Sequence, residues 1–154
     1  MNEAETYHLT TLGCPKNDVD SDKLEGTLQA DGLARVDEIG DADVVVVNTC
    51  AFIEDARTES IDTIIAVAAE RRPGAQLVVT GCMAERHGPE LAAELDEIDL
   101  VAPFGVALAP SSTAVAVELG PTRRAPDFDL LNLPRPASAR PWAYVKIAEG
   151  CDRA

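Results

Sequence analysis

The stretch Val44-Val45-Val46-Val47-Asn48-Thr49-Cys50 decides the fold. Four consecutive β-branched residues are too short a run for a helix and present no polar face, so they mark a strand buried on both sides. Strands of that kind belong to parallel sheets covered by helices on each face. The run ends on a cysteine. Two further runs do the same: Tyr7-His8-Leu9-Thr10-Thr11-Leu12-Gly13-Cys14 and Leu77-Val78-Val79-Thr80-Gly81-Cys82. A helix-like segment follows each of the three.

Outward from these runs, strands and helices alternate. Residues 6–13 read as a first strand. A helix is expected from Ser21 to Ala30, with Asp20 or Ser21 as its cap, Leu24 and Leu28 facing inward and Gly32 ending it. A short strand over Ala34 to Asp37 leads to the turn Asp41-Ala42-Asp43. After Cys50 comes the clearest helix. Glu54 and Asp55 occupy its first turn, where the dipole favours acids. Ile61, Ile64, Ile65 and Ala68 recur at helical spacing on one apolar face, and Pro73-Gly74 stops it. Gln76 to Thr80 is a strand, Pro89 to Leu95 a helix, and Leu100 to Ala102 a last short strand. The alternation predicts an α/β fold. Its sheet is open and mainly parallel, with helices on both faces, of the flavodoxin or Rossmann kind.

The composition fits. The chain has 154 residues, of which 46% are hydrophobic but only 4% aromatic. A core of small aliphatics suits doubly buried strands. The net charge of −14 opposes non-specific binding to nucleic acid and favours a basic partner. The opening Met1-Asn2-Glu3-Ala4-Glu5 carries no signal-peptide pattern, which points to the cytoplasm. Leu100 to Val117 lacks charge, but Pro103, Gly105 and Pro110 interrupt it, so a membrane span is rejected. From Gly120 to Pro141 the sequence carries half of its ten prolines and reads as a semi-extended linker. Trp142-Ala143-Tyr144-Val145-Lys146-Ile147 then reads as a strand that opens a further domain. The expected division is 1–119, 120–141 and 142–154.

The four cysteines stand far apart in sequence, and no C-x-x-C pair occurs. A disulfide framework and a zinc ribbon are both disfavoured. In open parallel sheets ligands lie beyond the carboxyl ends of the strands. Three thiols delivered there by Cys14, Cys50 and Cys82 make a soft-metal site, suited above all to an iron–sulfur cluster. Helix N-termini beside them are expected to lower thiol pKa values. Gly13 and Gly81 allow close backbone approach. Lys16 and Asn17 are placed to neutralise or hydrogen-bond an anionic core. The plainer alternative is three ordinary buried cysteines acting as small hydrophobes. His8 and His87 read as structural or surface residues, and Asp18, Asp20 and Asp22 as a solvated helix start.

The motifs Leu12-Gly13-Cys14-Pro15-Lys16-Asn17, Asn48-Thr49-Cys50-Ala51-Phe52-Ile53, Thr80-Gly81-Cys82 and Tyr144-Val145-Lys146-Ile147-Ala148-Glu149-Gly150-Cys151 resemble, in order, those of the radical S-adenosylmethionine methylthiotransferases. The resemblance spans nearly the whole chain. It implies an amino-terminal domain whose auxiliary 4Fe–4S cluster is held by Cys14, Cys50 and Cys82. It implies that Cys151 is the first ligand of a second 4Fe–4S cluster, in a C-x3-C-x2-C motif that runs beyond Ala154 and cleaves S-adenosylmethionine. The 154 residues alone are then not expected to catalyse the reaction. The likeness is to the branch that adds a methylthio group to an aspartate of ribosomal protein twelve of the small subunit. The tRNA-modifying branch typically carries Gln-Met-Asn where this chain has Pro15-Lys16-Asn17. Three rival readings follow: an adenosine-modifying tRNA methylthiotransferase, a flavodoxin-like module holding a flavin or phosphate, and an acidic docking domain. The absence of a Gly-rich phosphate loop counts against the second.

Overall fold

A computed structural model describes residues 6–103 and 141–142. The expected linker, the strand from Trp142 onward, the segment after Pro103 and Cys151 lie outside the described residues, Pro141 and Trp142 aside. The elements run β1 (Thr6–Thr11), α1 (Pro15–Ala30), β2 (Ala34–Arg35), a 3-10 turn (Ile39–Asp41), β3 (Val44–Thr49), α2 (Glu54–Glu70), β4 (Gln76–Gly81), α3 (Cys82–Glu94) and β5 (Leu100–Val101).

The five strands form one sheet in the order β2-β1-β3-β4-β5, and every pairing is parallel. From β1 the chain steps outward to β2, crosses back to β3 and continues through β4 to β5. The direction of winding therefore reverses between β1 and β3. That reversal is the switch point of a doubly wound sheet, where ligand crevices form.

All six residues of β3 are buried. Val45 and Val47 pack on one face with Leu77 and Val79, under Ile64 and Val67 of α2 and Met83 and Leu91 of α3. Val44 and Val46 pack on the other with Tyr7, Leu9 and Val78, against Leu28 of α1. Burying one such aliphatic side chain is worth roughly 1.5–3 kcal/mol. Helices on both faces bear out the expected fold class.

Several boundaries differ from expectation. α1 begins at Pro15, six residues before Ser21. Proline suits the first helical turn, where its missing N–H has no acceptor to lose. Asp20 and Ser21 are buried within the helix instead of capping it, so the acidic cluster is not a uniformly solvated helix start. α3 begins at Cys82 and bends at His87 just ahead of Pro89, which is why only its second half had a clear pattern. β2 is limited to Ala34–Arg35. Ile65, expected on the apolar face of α2, is 46% exposed, and Val67 takes that place. No helix of the described residues is long and apolar enough to cross a membrane.

Candidate metal centre

Three adjacent strands, β1, β3 and β4, end at one edge of the sheet, and each leads into a cysteine. The register puts Thr11 beside Asn48 and Asn48 beside Thr80. Cys14 lies three residues past Thr11, Cys50 two past Asn48 and Cys82 two past Thr80. Cys14 caps α1 and Cys82 opens α3. Cys50 stands four residues ahead of α2, so it does not adjoin that helix terminus. Cys14 is exposed, Cys82 is half-buried and Cys50 is buried; all three are free thiols.

The strand ends are polar, and their side chains tie the edge together. Asn17 of α1 donates its amide to the Leu12 carbonyl at 2.7 Å and to the Thr49 carbonyl at 3.0 Å. Asn48 donates to the Asn17 carbonyl at 3.1 Å and to Ser21 Oγ at 2.9 Å. Ser21 in turn pairs with the Thr11 hydroxyl at 2.5 Å. Thr49 Oγ1 donates to the Thr80 carbonyl at 2.6 Å, joining β3 to β4. These bonds satisfy most of the polar groups that a buried sheet edge would otherwise leave bare; Asn48 Oδ1 is buried without a hydrogen-bond partner among the described residues.

Two glycines carry the chain into the site with positive φ. Gly13, at φ 92°, lies against Cys50: a Cβ there would stand 2.6 Å from Cys50 Cβ and 2.8 Å from its Sγ. Gly81, at φ 95°, lies against β3: a Cβ would collide with Asn48 Oδ1 and the Thr49 carbonyl and stand 2.7 Å from the Thr49 nitrogen. Any other residue at either position meets both a steric clash and an unfavourable backbone.

Burial pushes the Cys82 thiol up, and Lys16 pulls against it; Cys50, Asp20 and Cys14 add to the rise. Cys82 thus feels the charges of Lys16 and Asp20. The expected lowering at Cys82 is not borne out: burial raises its pKa. Among the described residues, no group of three or more His, Cys, Asp or Glu side chains converges on a single metal ion.

The histidines are engaged elsewhere. His8 Nδ1 faces the Val36 carbonyl at 3.3 Å, which can only accept, and Nε2 faces Thr10 Oγ1 at 3.2 Å. His87 pairs with Glu90 across one turn of α3. Asn17 was expected to face a bound core, but both its donors are spent on backbone carbonyls. Sequence reasoning missed the edge-joining roles of Asn48, Thr49 and Ser21, and Ser60, whose Oγ bonds both the amide and the carbonyl of Cys50. The available signal was the abrupt change from four valines to Asn48-Thr49 inside one buried strand.

A doubly wound parallel sheet, with three cysteines following the carboxyl ends of neighbouring strands, defines an α/β domain of the flavodoxin-like architecture. The sequence profile of "Uncharacterized protein family UPF0004" matches residues 6–103, and the chain belongs to that family. It is similar to proteins named "Ribosomal protein uS12 methylthiotransferase RimO". The one from Myxococcus xanthus is 44% identical over 97% of this chain and 32% of its own length. The one from Desulfosudis oleivorans is 46% identical over 95% of this chain and 35% of its own. The one from Thermotoga maritima is 44% identical over 94% and 34%. The chain therefore spans about a third of the length of these curated relatives.

Proposed function

We propose that this chain is the auxiliary-cluster region of a radical S-adenosylmethionine methylthiotransferase of the RimO kind. Residues 1–119 form the domain that carries Cys14, Cys50 and Cys82 as ligands of an iron–sulfur cluster. Residues 120–141 link it to a second domain opening at 142–154, where Cys151 is the first ligand of the cluster that cleaves S-adenosylmethionine. The observation that carries the reading is the delivery of three thiols to one sheet edge by three neighbouring strands.

The residues fit such a group. The donor set is all sulfur, the preference of iron–sulfur clusters. Neighbouring strands stand about 4.8 Å apart, so the three cysteine-bearing strand ends span roughly 10 Å, with loop residues left to close the rest. Gly13 and Gly81 leave no side chain between backbone and ligand. Lys16 acts on Cys82 with a charge of the sign that stabilises thiolates and an anionic core. When bound with three protein thiolates, a cubane cluster supplies one iron with a coordination position open to a sulfur donor. The burial of Cys50 keeps water from that ligand.

Anaerobic reconstitution tests this directly. The chain should take up iron and sulfide together and turn brown with broad absorbance. Uptake of a flavin without iron would overturn the reading in favour of a flavodoxin-like module.

The substrate of the whole enzyme is the uS12 protein, an aspartate of it being the modified residue. A surface of net charge −14 favours a basic protein over tRNA phosphates, and the names of the relatives agree. Action on a ribosomal protein puts the enzyme in the cytoplasm. Full-length enzyme offered both uS12 and an adenosine-modified tRNA should add a methylthio mass to the protein. Modification of the tRNA alone would replace this reading with the tRNA-modifying one.

A further inference from the structure

All three thiol-bearing segments meet at the dipeptide Asn48-Thr49, and one side chain of α1 reaches into that junction. Asn17 is 1% exposed. Its amide nitrogen bridges two carbonyls, those of Leu12 and Thr49. Leu12 immediately precedes Gly13-Cys14, and Thr49 immediately precedes Cys50. We propose that Asn17 is a positioning residue: it clasps the Cys14 loop down onto the end of β3 and so sets the spacing of Cys14 and Cys50.

The chemistry of the position is narrow. A side-chain amide offers two N–H donors from one nitrogen in one plane. Serine at 17 keeps a hydroxyl but has only one hydrogen to donate. Aspartate would set a carboxylate against two carbonyl oxygens. The clasp also controls access. Gly13 lies directly on Cys50 with φ 92°, close enough that a Cβ would stand 2.8 Å from its sulfur. Lifting the Leu12–Gly13 segment would uncover Cys50. Asn48 holds the clasp from behind through the Asn17 carbonyl and Ser21.

The importance of this spacing for a cluster rests on the reading above; the clasp itself does not. Two readouts separate them. The first is thiol labelling of the metal-free chain with iodoacetamide, resolved by site with mass spectrometry. In the parent, Cys14 should react fastest and Cys50, only 6% exposed, slowest. Asn17→Ala should speed labelling at Cys50 by about tenfold, the order expected for two lost hydrogen bonds, and leave Cys82 at its parent rate. Asn17→Ser should act in the same direction, and it replaces the alanine variant should that one fail to fold. Gly40→Ala, where nothing lies within 4 Å of an added Cβ and which takes no part in the clasp, should leave Cys50 protected. Unchanged Cys50 labelling in the Asn17 variants overturns the proposal. Equal acceleration at Cys50 and Cys82 overturns it too, since that reports general loosening.

The second readout is iron and sulfide retained after anaerobic reconstitution, with the electron paramagnetic resonance spectrum of the reduced chain. Asn17→Ser should retain less iron and alter that spectrum while far-ultraviolet circular dichroism stays unchanged. A parent chain that takes up no iron while the labelling pattern holds would sink the cluster reading and leave the clasp standing.

Discussion

Ser60 holds both backbone polar groups of Cys50: its Oγ accepts from the Cys50 amide at 3.1 Å and donates to the Cys50 carbonyl at 2.8 Å. Ser60 is fully buried, so no water can stand in for it. Ser60→Ala should therefore lower stability by about 2–3 kcal/mol, the cost of leaving a buried donor and acceptor unpaired. Urea unfolding of the parent and variant measures this. A loss within experimental error would mean that the Cys50 backbone finds other partners.

Gly81 admits no side chain. Its φ of 95° disfavours L-residues, and a Cβ would strike Asn48 and Thr49. Gly81→Ala should cost more than about 3 kcal/mol, combining left-handed strain with overpacking. Gly40→Ala makes the control, since nothing lies within 4 Å of a Cβ there. It should change stability by no more than about 0.5 kcal/mol. Equal losses in the two variants, by urea unfolding, would contradict the packing at the end of β4.

Alkaline pH should weaken the fold through Tyr7. Burial raises its pKa above the ordinary 10.0, with Glu25 adding to the rise and Gln29 and Arg35 opposing. The folded chain then keeps the phenol proton to higher pH than the unfolded chain does. Stability from this group is full below about pH 10 and falls as the pH climbs through the raised value. Tyr7→Phe should flatten that part of the stability profile. A variant with the same alkaline slope as the parent would assign the loss to other groups.

Removal of single thiols should sort the four cysteines. Cys14→Ala, Cys50→Ala and Cys82→Ala should each lower iron affinity after reconstitution by at least about tenfold, since removing even an outer-sphere partner of a metal ligand costs that much. Cys151→Ala should leave iron retained by the 154-residue chain near its parent value. Equal losses from all four would put Cys151 in the same site.

The thiol edge was legible because β-branched runs and terminal cysteines are local signals. Val44 to Val47 announces a doubly buried strand without help from the rest of the chain. The start of α1 was hidden by Asp20 and Ser21, which look like caps in sequence but are buried. What they meet is set by β3, more than twenty residues away, as the bond from Asn48 to Ser21 illustrates. α3 was half-read because Gly88 and Pro89 break its pattern, although the helix only bends there. The clasp was invisible for the same reason as the buried Ser21. Its donors and acceptors belong to different strands and helices, and no spacing rule links them.

The distances along the chain between clasp partners carry a consequence for biosynthesis. Asn17 meets a carbonyl 32 positions downstream, and Asn48 reaches back 31. Neither bond can close until β1 and β3 have emerged and paired, and Gly81 must follow before β4 can seat beside Thr49. All of these residues precede Cys151 in the order of synthesis. Every contact that joins the three cysteine-bearing strand ends thus lies upstream of Cys151, and a chain that ends before Gly81 would display Cys14 and Cys50 in an edge that lacks its third strand.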